Sequence, residues 1–206
     1  MELIQKYFPG LGNLQIQQFE KLLQKLPLLN QQVNVISRKD IKYLEERHIL
    51  HSLSIALKFH FDAGTRVLDV GTGGGFPGIP LAILFPESRF TLVDSIGKKI
   101  RLVEELLTML ELKNVTTLNQ RMEQLQLKTD FVVSRAVAPF PKLHRWTRGL
   151  IEQGHHQTMP NGLISLKGGD LENELAAFGK RIELYPLSNW FQEPFFSTKM
   201  IVYLKK

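Results

Sequence analysis

Five glycines in eight residues, Gly71, Gly73, Gly74, Gly75 and Gly78, constrain this chain more than any other feature. They follow the short apolar run Val67 to Val70, which is long enough for one buried strand. Glycine takes positive φ freely and has no Cβ, so a ligand can come close to the backbone here. Pro80 suits the first turn of a helix, which continues through Leu81–Phe85 and stops at Pro86. A second strand, Arg89 to Asp94, then ends in an acid able to accept both hydroxyls of a ribose. Strand, glycine turn and helix together predict the nucleotide-type pocket of an α/β fold.

Two ligand classes compete for such a pocket. A dinucleotide needs free N–H groups at the helix start to hold its pyrophosphate. Pro77 and Pro80 remove two of those donors. Asp69, just before the glycines, repels a pyrophosphate and suits a cationic ligand. Both points favour S-adenosylmethionine, a sulfonium with an amino-acid tail, over a dinucleotide such as NADH and the oxidoreductase chemistry that goes with it. No G-x-x-x-x-G-K-[ST] phosphate loop occurs, which argues against a P-loop NTPase.

A length of 206 residues allows one α/β domain and a modest appendage. The absence of cysteine excludes disulfides, thiolate metal sites and a cysteine nucleophile. A net charge of +6 is compatible with a polyanionic partner, nucleic acid above all. No apolar run approaches the ~20 residues of a membrane span. Met1–Lys6 has no signal-peptide core, so a cytoplasmic protein is expected, and a monomer.

Residues 1–62 read as a helical extension packed on the main domain, residues 63–206. Ile16, Phe19, Leu22, Leu23, Leu26 and Leu29 recur at helical spacing. After a polar turn, with Ser37 or Asp40 as a cap, a second helix is predicted over residues 41–59. Arg47, His48 and His51 share one face of it, suited to hydrogen bonding or phosphate contact; with no third ligand nearby, a metal site is not expected. Further helices are predicted over residues 97–111, 143–153 and 170–178, the last capped by Asp170. Strands are predicted over 115–119, 130–135 and 162–169, with a late antiparallel pair over 181–187 and 200–204. This alternation predicts a mostly parallel sheet, with ligands at the carboxyl ends of its strands. Gly71, Asp94, Arg121 with Glu123, Arg135 and Lys167 should therefore meet on one rim. Lys98, Lys99 and Arg101 oppose the dipole at their helix start, which points to a partner for those charges.

If the ligand is S-adenosylmethionine, the end of the fourth strand limits the acceptor. Exocyclic base amines call for [Asn/Asp]-Pro-Pro-aromatic, and this chain has Val133-Ser134-Arg135-Ala136. Carbon-5 of a pyrimidine needs a cysteine. A ribose hydroxyl needs a general base, and no carboxylate ends this strand. A ring nitrogen with a free lone pair needs none, and nitrogen-7 of guanine is the strongest such nucleophile. Alignment then carries catalysis and can contribute ~7–11 kcal/mol. Phe76, Phe140 and Trp146 are candidates to stack on the base, though core packing is the stronger reading of each.

The motifs taken together resemble a known family. Asn30 with Val33-Asn34-Val35-Ile36-Ser37, Glu46–Leu50, Asp69–Gly73 with Gly75–Pro80, Asp94-Ser95 with Lys98, Arg121 with Glu123, Ser134-Arg135-Ala136 and Leu166-Lys167-Gly168 carry the likeness across nearly the whole chain. The sequence resembles the glucose-inhibited division protein B (RsmG) family. Those bacterial enzymes methylate nitrogen-7 of a guanosine in the 530 loop of 16S ribosomal RNA. The resemblance implies a Rossmann-like S-adenosylmethionine-dependent methyltransferase fold with a seven-stranded sheet. As substrate it implies 16S rRNA or the small ribosomal subunit, an assembly intermediate included. It implies Gly71, Gly73, Phe76, Asp94, Ser95, Met122, Glu123 and Arg135 around the methyl donor, and Asn34, Arg121 and Arg135 as the residues needed for activity. Arg47, His48, Lys98, Lys167 and Lys199 are the expected RNA contacts. Two positions depart from the family pattern: His51 replaces an aspartate and Lys199 an arginine, which keeps the charge but loses the bidentate fork. A methyltransferase acting on another RNA or a small molecule remains the alternative.

Overall fold

In the computed structural model, which describes residues 1–156 and 159–206, seven strands form one sheet. They are β1 (Arg66–Val70), β2 (Arg89–Asp94), β3 (Val115–Asn119), β4 (Phe131–Arg135), β5 (Gly162–Gly168), β6 (Ile182–Pro186) and β7 (Lys199–Lys205). The spatial order is β3-β2-β1-β4-β5-β7-β6. The first five run parallel, and β7 lies antiparallel between β5 and β6, as the late antiparallel pair predicted. The order reverses between β1 and β4, which is where such a sheet opens a crevice. Register brings the strand ends level: Val70 pairs with Val93, and Asp94 with Asn119.

Alternation along the strands divides the core. Leu68, Val70, Val93, Val132 and Val202 face one side, against Phe140, Leu143, Leu175 and Phe178. Val67, Phe90, Leu92, Phe131, Val133 and Tyr203 face the other, against Phe19, Leu22, Leu26, Val103 and Leu106. The helices behind these contacts are α1 (Glu2–Tyr7), α2 (Asn13–Asn30), α3 (His51–Leu53), α4 (Gly78–Leu84), α5 (Gly97–Leu110), α6 (Phe140–Thr147) and α7 (Glu172–Leu175).

Residues 1–62 share the second core with the sheet. Phe19, Leu22 and Leu26 of α2 are fully buried, each contributing roughly 1.5–3 kcal/mol. Polar stitches fix the angle: Gln18 Nε2 donates to the Leu110 carbonyl, and Gln15 Nε2 to those of Ile83 and Leu84. Glu45 holds the N-terminus, accepting from the Ile4 amide and pairing with the Met1 amine.

Three predicted helices have different bounds. The 41–59 stretch is broken: a 3-10 turn Ile41–Tyr43, a π-helical segment Leu44–Leu50, the short α3, then a 3-10 turn Ser54–Leu57. Ser52 and Ser54 donate back to the carbonyls of His48 and His51, side-chain bonds that compete with the helical ladder. The helix expected over 143–153 is α6, which starts earlier because Pro141 fits its first turn. Ile151 instead bridges Thr129. The helix expected over 170–178 is α7, followed by a 3-10 stretch broken at Gly179; its cap residue is Leu171 and not Asp170, whose side chain accepts from the Glu172 amide one residue before the cap. Asp40 does not cap with its side chain; it is an acid partner, described next.

Candidate active site

The glycine turn is shaped by contacts that leave no room for a side chain. Gly71 has φ +66°, and a Cβ there would lie 2.5 Å from Val137. Asp69 is fully buried beneath the turn. Its Oδ2 accepts from the Thr72 hydroxyl at 2.6 Å and the Gly78 amide at 2.9 Å. Its Oδ1 is buried with no hydrogen-bond partner. Burial pushes its pKa up to about 7, against those hydrogen bonds and the charge of Arg135.

At the end of β2, Asp94 Oδ2 accepts from the Gly73 amide at 3.1 Å and Oδ1 from the Ile96 amide at 2.9 Å. Lys99 stands 3.7 Å from the same carboxylate. Asp94, Ile96 and Lys99 line a cavity of about 420 Å³, together with Gly71, Ser95, Arg121, Met122, Glu123, Ala136 and Trp146. The strand ends Gly71, Asp94, Arg121 and Glu123 thus meet on one rim, as predicted. Gly73 joins it through its amide. Ala136 holds φ +55°, a left-handed conformation rare outside glycine, right at the cavity wall. Arg121 and Glu123 are exposed, and neither side chain has a hydrogen-bond or ion-pair partner among the described residues.

Arg135, at the end of β4, stands behind this cavity. Its Nη1 donates to the Arg47 carbonyl at 3.1 Å and its Nη2 to His48 Nδ1 at 3.1 Å. A guanidinium can only donate, so Nδ1 accepts and the imidazole proton sits on Nε2. That proton goes to Asp40 Oδ2 at 2.7 Å, while Arg47 Nη1 donates to Asp40 Oδ1 at 3.1 Å. Burial, then the charge of Arg135, lower the His48 pKa to about 4, against the pull of Asp40. Burial also lowers the Arg135 pKa to about 10, with Asp69 and Asp40 opposing it. Phe76 is buried under the Arg135 guanidinium, 4.8 Å from its ring centre, and meets His48 edge-on. It is therefore a platform for Arg135 and not part of the cavity lining.

Asn34 is exposed at the tip of a turn built by Asn30. Asn30 accepts from the amides of Val35 and Ile36 and donates to the Ile36 carbonyl. Val35 packs on Gly74, where a Cβ would lie 2.8 Å from it, so the turn rides directly on the glycine loop.

The expected RNA contacts separate. Arg47 is half-exposed, and Lys98 is exposed at the start of α5. His48 is enclosed by Asp40 and Arg135 and offers no free nitrogen. Lys167 does not reach the cavity: it is bound to Glu174 at 2.7 Å and the Ala138 carbonyl at 2.8 Å, where it braces the approach to α6. Lys199 lies along Gly168 with its ammonium over Phe195. His51 is buried against Phe195 and Phe196, and burial, then the charges of Arg135 and Lys199, hold it neutral. The two departures from the family pattern are thus neighbours sharing Phe195. Phe140 is core, and Trp146 is half-buried at the cavity with Lys142 over its ring. Lys142 and Val137 escaped the sequence reading. Nothing in their local pattern marks them.

The GidB family, rRNA small subunit methyltransferase G, matches residues 15–191. The chain belongs to this family. It is an S-adenosylmethionine-dependent rRNA methyltransferase. Family members similar to it include Ribosomal RNA small subunit methyltransferase G of Christiangramia forsetii, 52% identical over 99% of this chain and 96% of that one. The protein of the same name from Phocaeicola vulgatus is 52% identical over 99% and 98%. Among solved structures, a SAM dependent methyltransferase from Aquifex aeolicus covers 82% of this chain and 98% of its own with a TM-score of 0.57 at 18% identity, a likeness of fold. The oxidoreductase alternative is set aside by the family. The methyl donor fits the residues present: two carboxylates, Asp94 and Glu123, line the cavity, and an orphaned carboxylate oxygen of Asp69 lies beneath the glycine turn. Among the described residues no cluster of His, Asp and Glu could hold a metal, and no helix is long and apolar enough to cross a membrane.

Proposed function

We propose that this methyltransferase acts on nitrogen-7 of a guanosine in the 530 loop of 16S rRNA, in the cytoplasm and as a monomer, by in-line attack without a general base. The observation that carries the reading is the Asp40–His48–Arg135 chain. The group at the end of β4 is a guanidinium, and both nitrogens of its histidine neighbour are engaged. That histidine therefore has no free nitrogen to take a proton beside Arg135. Nitrogen-7 of guanine is matched to that, because its lone pair attacks without losing a proton.

Bound S-adenosylmethionine supplies an electrophilic methyl group on a sulfonium that leaves as a neutral thioether. Asp94 would accept the ribose hydroxyls of the bound donor, with Glu123 on the same cavity wall. Asp69 gives the glycine turn a negative underside suited to a cationic donor. Arg135 is fixed from two sides, so it meets the RNA without reorganising. Arg121 is free to take a phosphate, and Asn34 sits exposed in the turn that packs on Gly74. Residues 1–62 are then a substrate-facing unit on the 63–206 catalytic domain.

Replacing the target guanosine by 7-deazaguanosine tests this directly. The base keeps its pairing face and loses only the nucleophile, so transfer should stop while RNA binding is unchanged. Continued transfer would assign the methyl to another atom.

A further inference from the structure

Outside the cofactor cavity, the segment from Ser37 to Arg47 forms a second open cavity of about 550 Å³. Arg38, Lys39, Asp40, Lys42, Tyr43 and Arg47 line it. Four of these are cations. Arg38 and Lys39 are exposed, with no hydrogen-bond or ion-pair partner among the described residues. Asp40 lines it as an acid, and its two oxygens are taken by Arg47 and His48. Tyr43 forms the floor: the Arg47 guanidinium lies 3.7 Å from its ring centre and the Lys42 ammonium 4.9 Å. The cavity adjoins the catalytic rim, because the carbonyl of Arg47 accepts the Arg135 hydrogen bond.

We propose that this segment is a phosphate-binding cradle for single-stranded RNA beside the target base, with the Tyr43–Arg47 stack as the surface on which a neighbouring base rests. Unneutralised cations around a cation-capped aromatic are what single strands bind: the charges follow the phosphates and the planar groups take a base. A duplex offers no unstacked base to such a floor. The other basic cavity, at the opposite ends of the strands around Arg66, Arg89, Lys113 and Lys128, is weaker for this purpose. Arg66 is neutralised by Asp130 and Glu152, and Lys128 is bound to the Gly149 carbonyl.

That second cavity supplies the control. The cradle rests on the RNA-methyltransferase reading, so binding of a 530-loop transcript is measured against salt for the full chain first. It is then measured for Lys39→Gln/Lys42→Gln and for the charge-matched Arg89→Gln/Lys113→Gln. The cradle variant should lower the slope of log K against log salt by about 1.4, the value for two phosphate contacts to a single strand. It should also raise KM for RNA at least tenfold, with KM for S-adenosylmethionine and Tm unchanged. The control should keep the wild-type slope. Equal slopes for the two variants would overturn the cradle and leave the function standing. No salt-dependent binding by the wild-type chain would overturn both.

Discussion

Arg135 is oriented by His48: the guanidinium donates to Nδ1 at 3.1 Å, and the imidazole is itself clamped by Asp40 at 2.7 Å. No carboxylate pairs with Arg135 directly among the described residues. A neutral histidine therefore sets its direction while leaving its charge available. With a pKa near 4, His48 stays neutral across the working range.

Removing that acceptor should misdirect the guanidinium without unfolding the chain. His48→Gln keeps a group near the Nε2 position for Asp40 and loses the acceptor for Arg135, while His48→Asn does the reverse. A hydrogen bond to a charged group is worth roughly 1.5–3 kcal/mol, or about 10–100-fold in rate. His48→Gln should lower kcat by that factor with KM for S-adenosylmethionine nearly unchanged, and His48→Asn should recover part of it. Steady-state kinetics of the two variants check this; wild-type kcat in both would remove His48 from the mechanism.

Asp69 titrates inside the protein near pH 7, raised by burial. Because the folded pKa lies above the ordinary carboxylate value, the native state holds an extra proton between about pH 4 and 7. Its stabilising effect is present at low pH and is lost as pH rises through 7. The ionised form favours a cationic ligand, so S-adenosylmethionine should bind more tightly at pH 8 than at pH 6. Asp69→Asn should bind it more weakly and without that dependence. Calorimetric titration at the two pH values decides.

Gly71→Ala places a methyl group into Val137 at a left-handed φ. The conformational part alone costs about 1–2 kcal/mol. The variant should lose cofactor binding and melt several degrees lower. Adding Val137→Ala should restore part of the Tm by removing the clash and leaving the φ strain. No difference between the single and double variants would mean that the turn relaxes away from Val137.

Among the described residues the Arg121 side chain has no hydrogen-bond or ion-pair partner. Arg121→Ala should leave Tm within about a degree and cut methyl transfer at least tenfold, an effect of about 1.4 kcal/mol. Thermal melts and single-turnover transfer rates test it, and unchanged rates would make Arg121 a solvated bystander.

The sheet and the glycine turn were legible because their causes are local. Val67 to Val70 is apolar, the residues after it demand positive φ, and Asp94 ends the next strand. Parallel register then forces the strand ends together. The partners of Arg135 were not legible, because His48 lies 87 residues away in a segment whose pattern suggested a plain helix. That segment is a 3-10 turn, a π-helical stretch and a short helix in turn, with Ser52 and Ser54 donating back to its carbonyls, and periodicity does not register such changes. Lys167 misled for a related reason: it ends a strand near the rim, but Glu174, from a helix not yet formed in one dimension, claims its ammonium. Of the two roles the sequence left open for His48, hydrogen bonding and phosphate contact, the structure shows the first, with Asp40 and Arg135 as partners.

The most direct test is to supply labelled S-adenosylmethionine with 16S rRNA and with small-subunit particles, both lacking the modification, and to map 7-methylguanosine by chemical cleavage. One labelled guanosine is expected, in the 530 loop. Label at another atom or another site, or none despite tight cofactor binding, would contradict it.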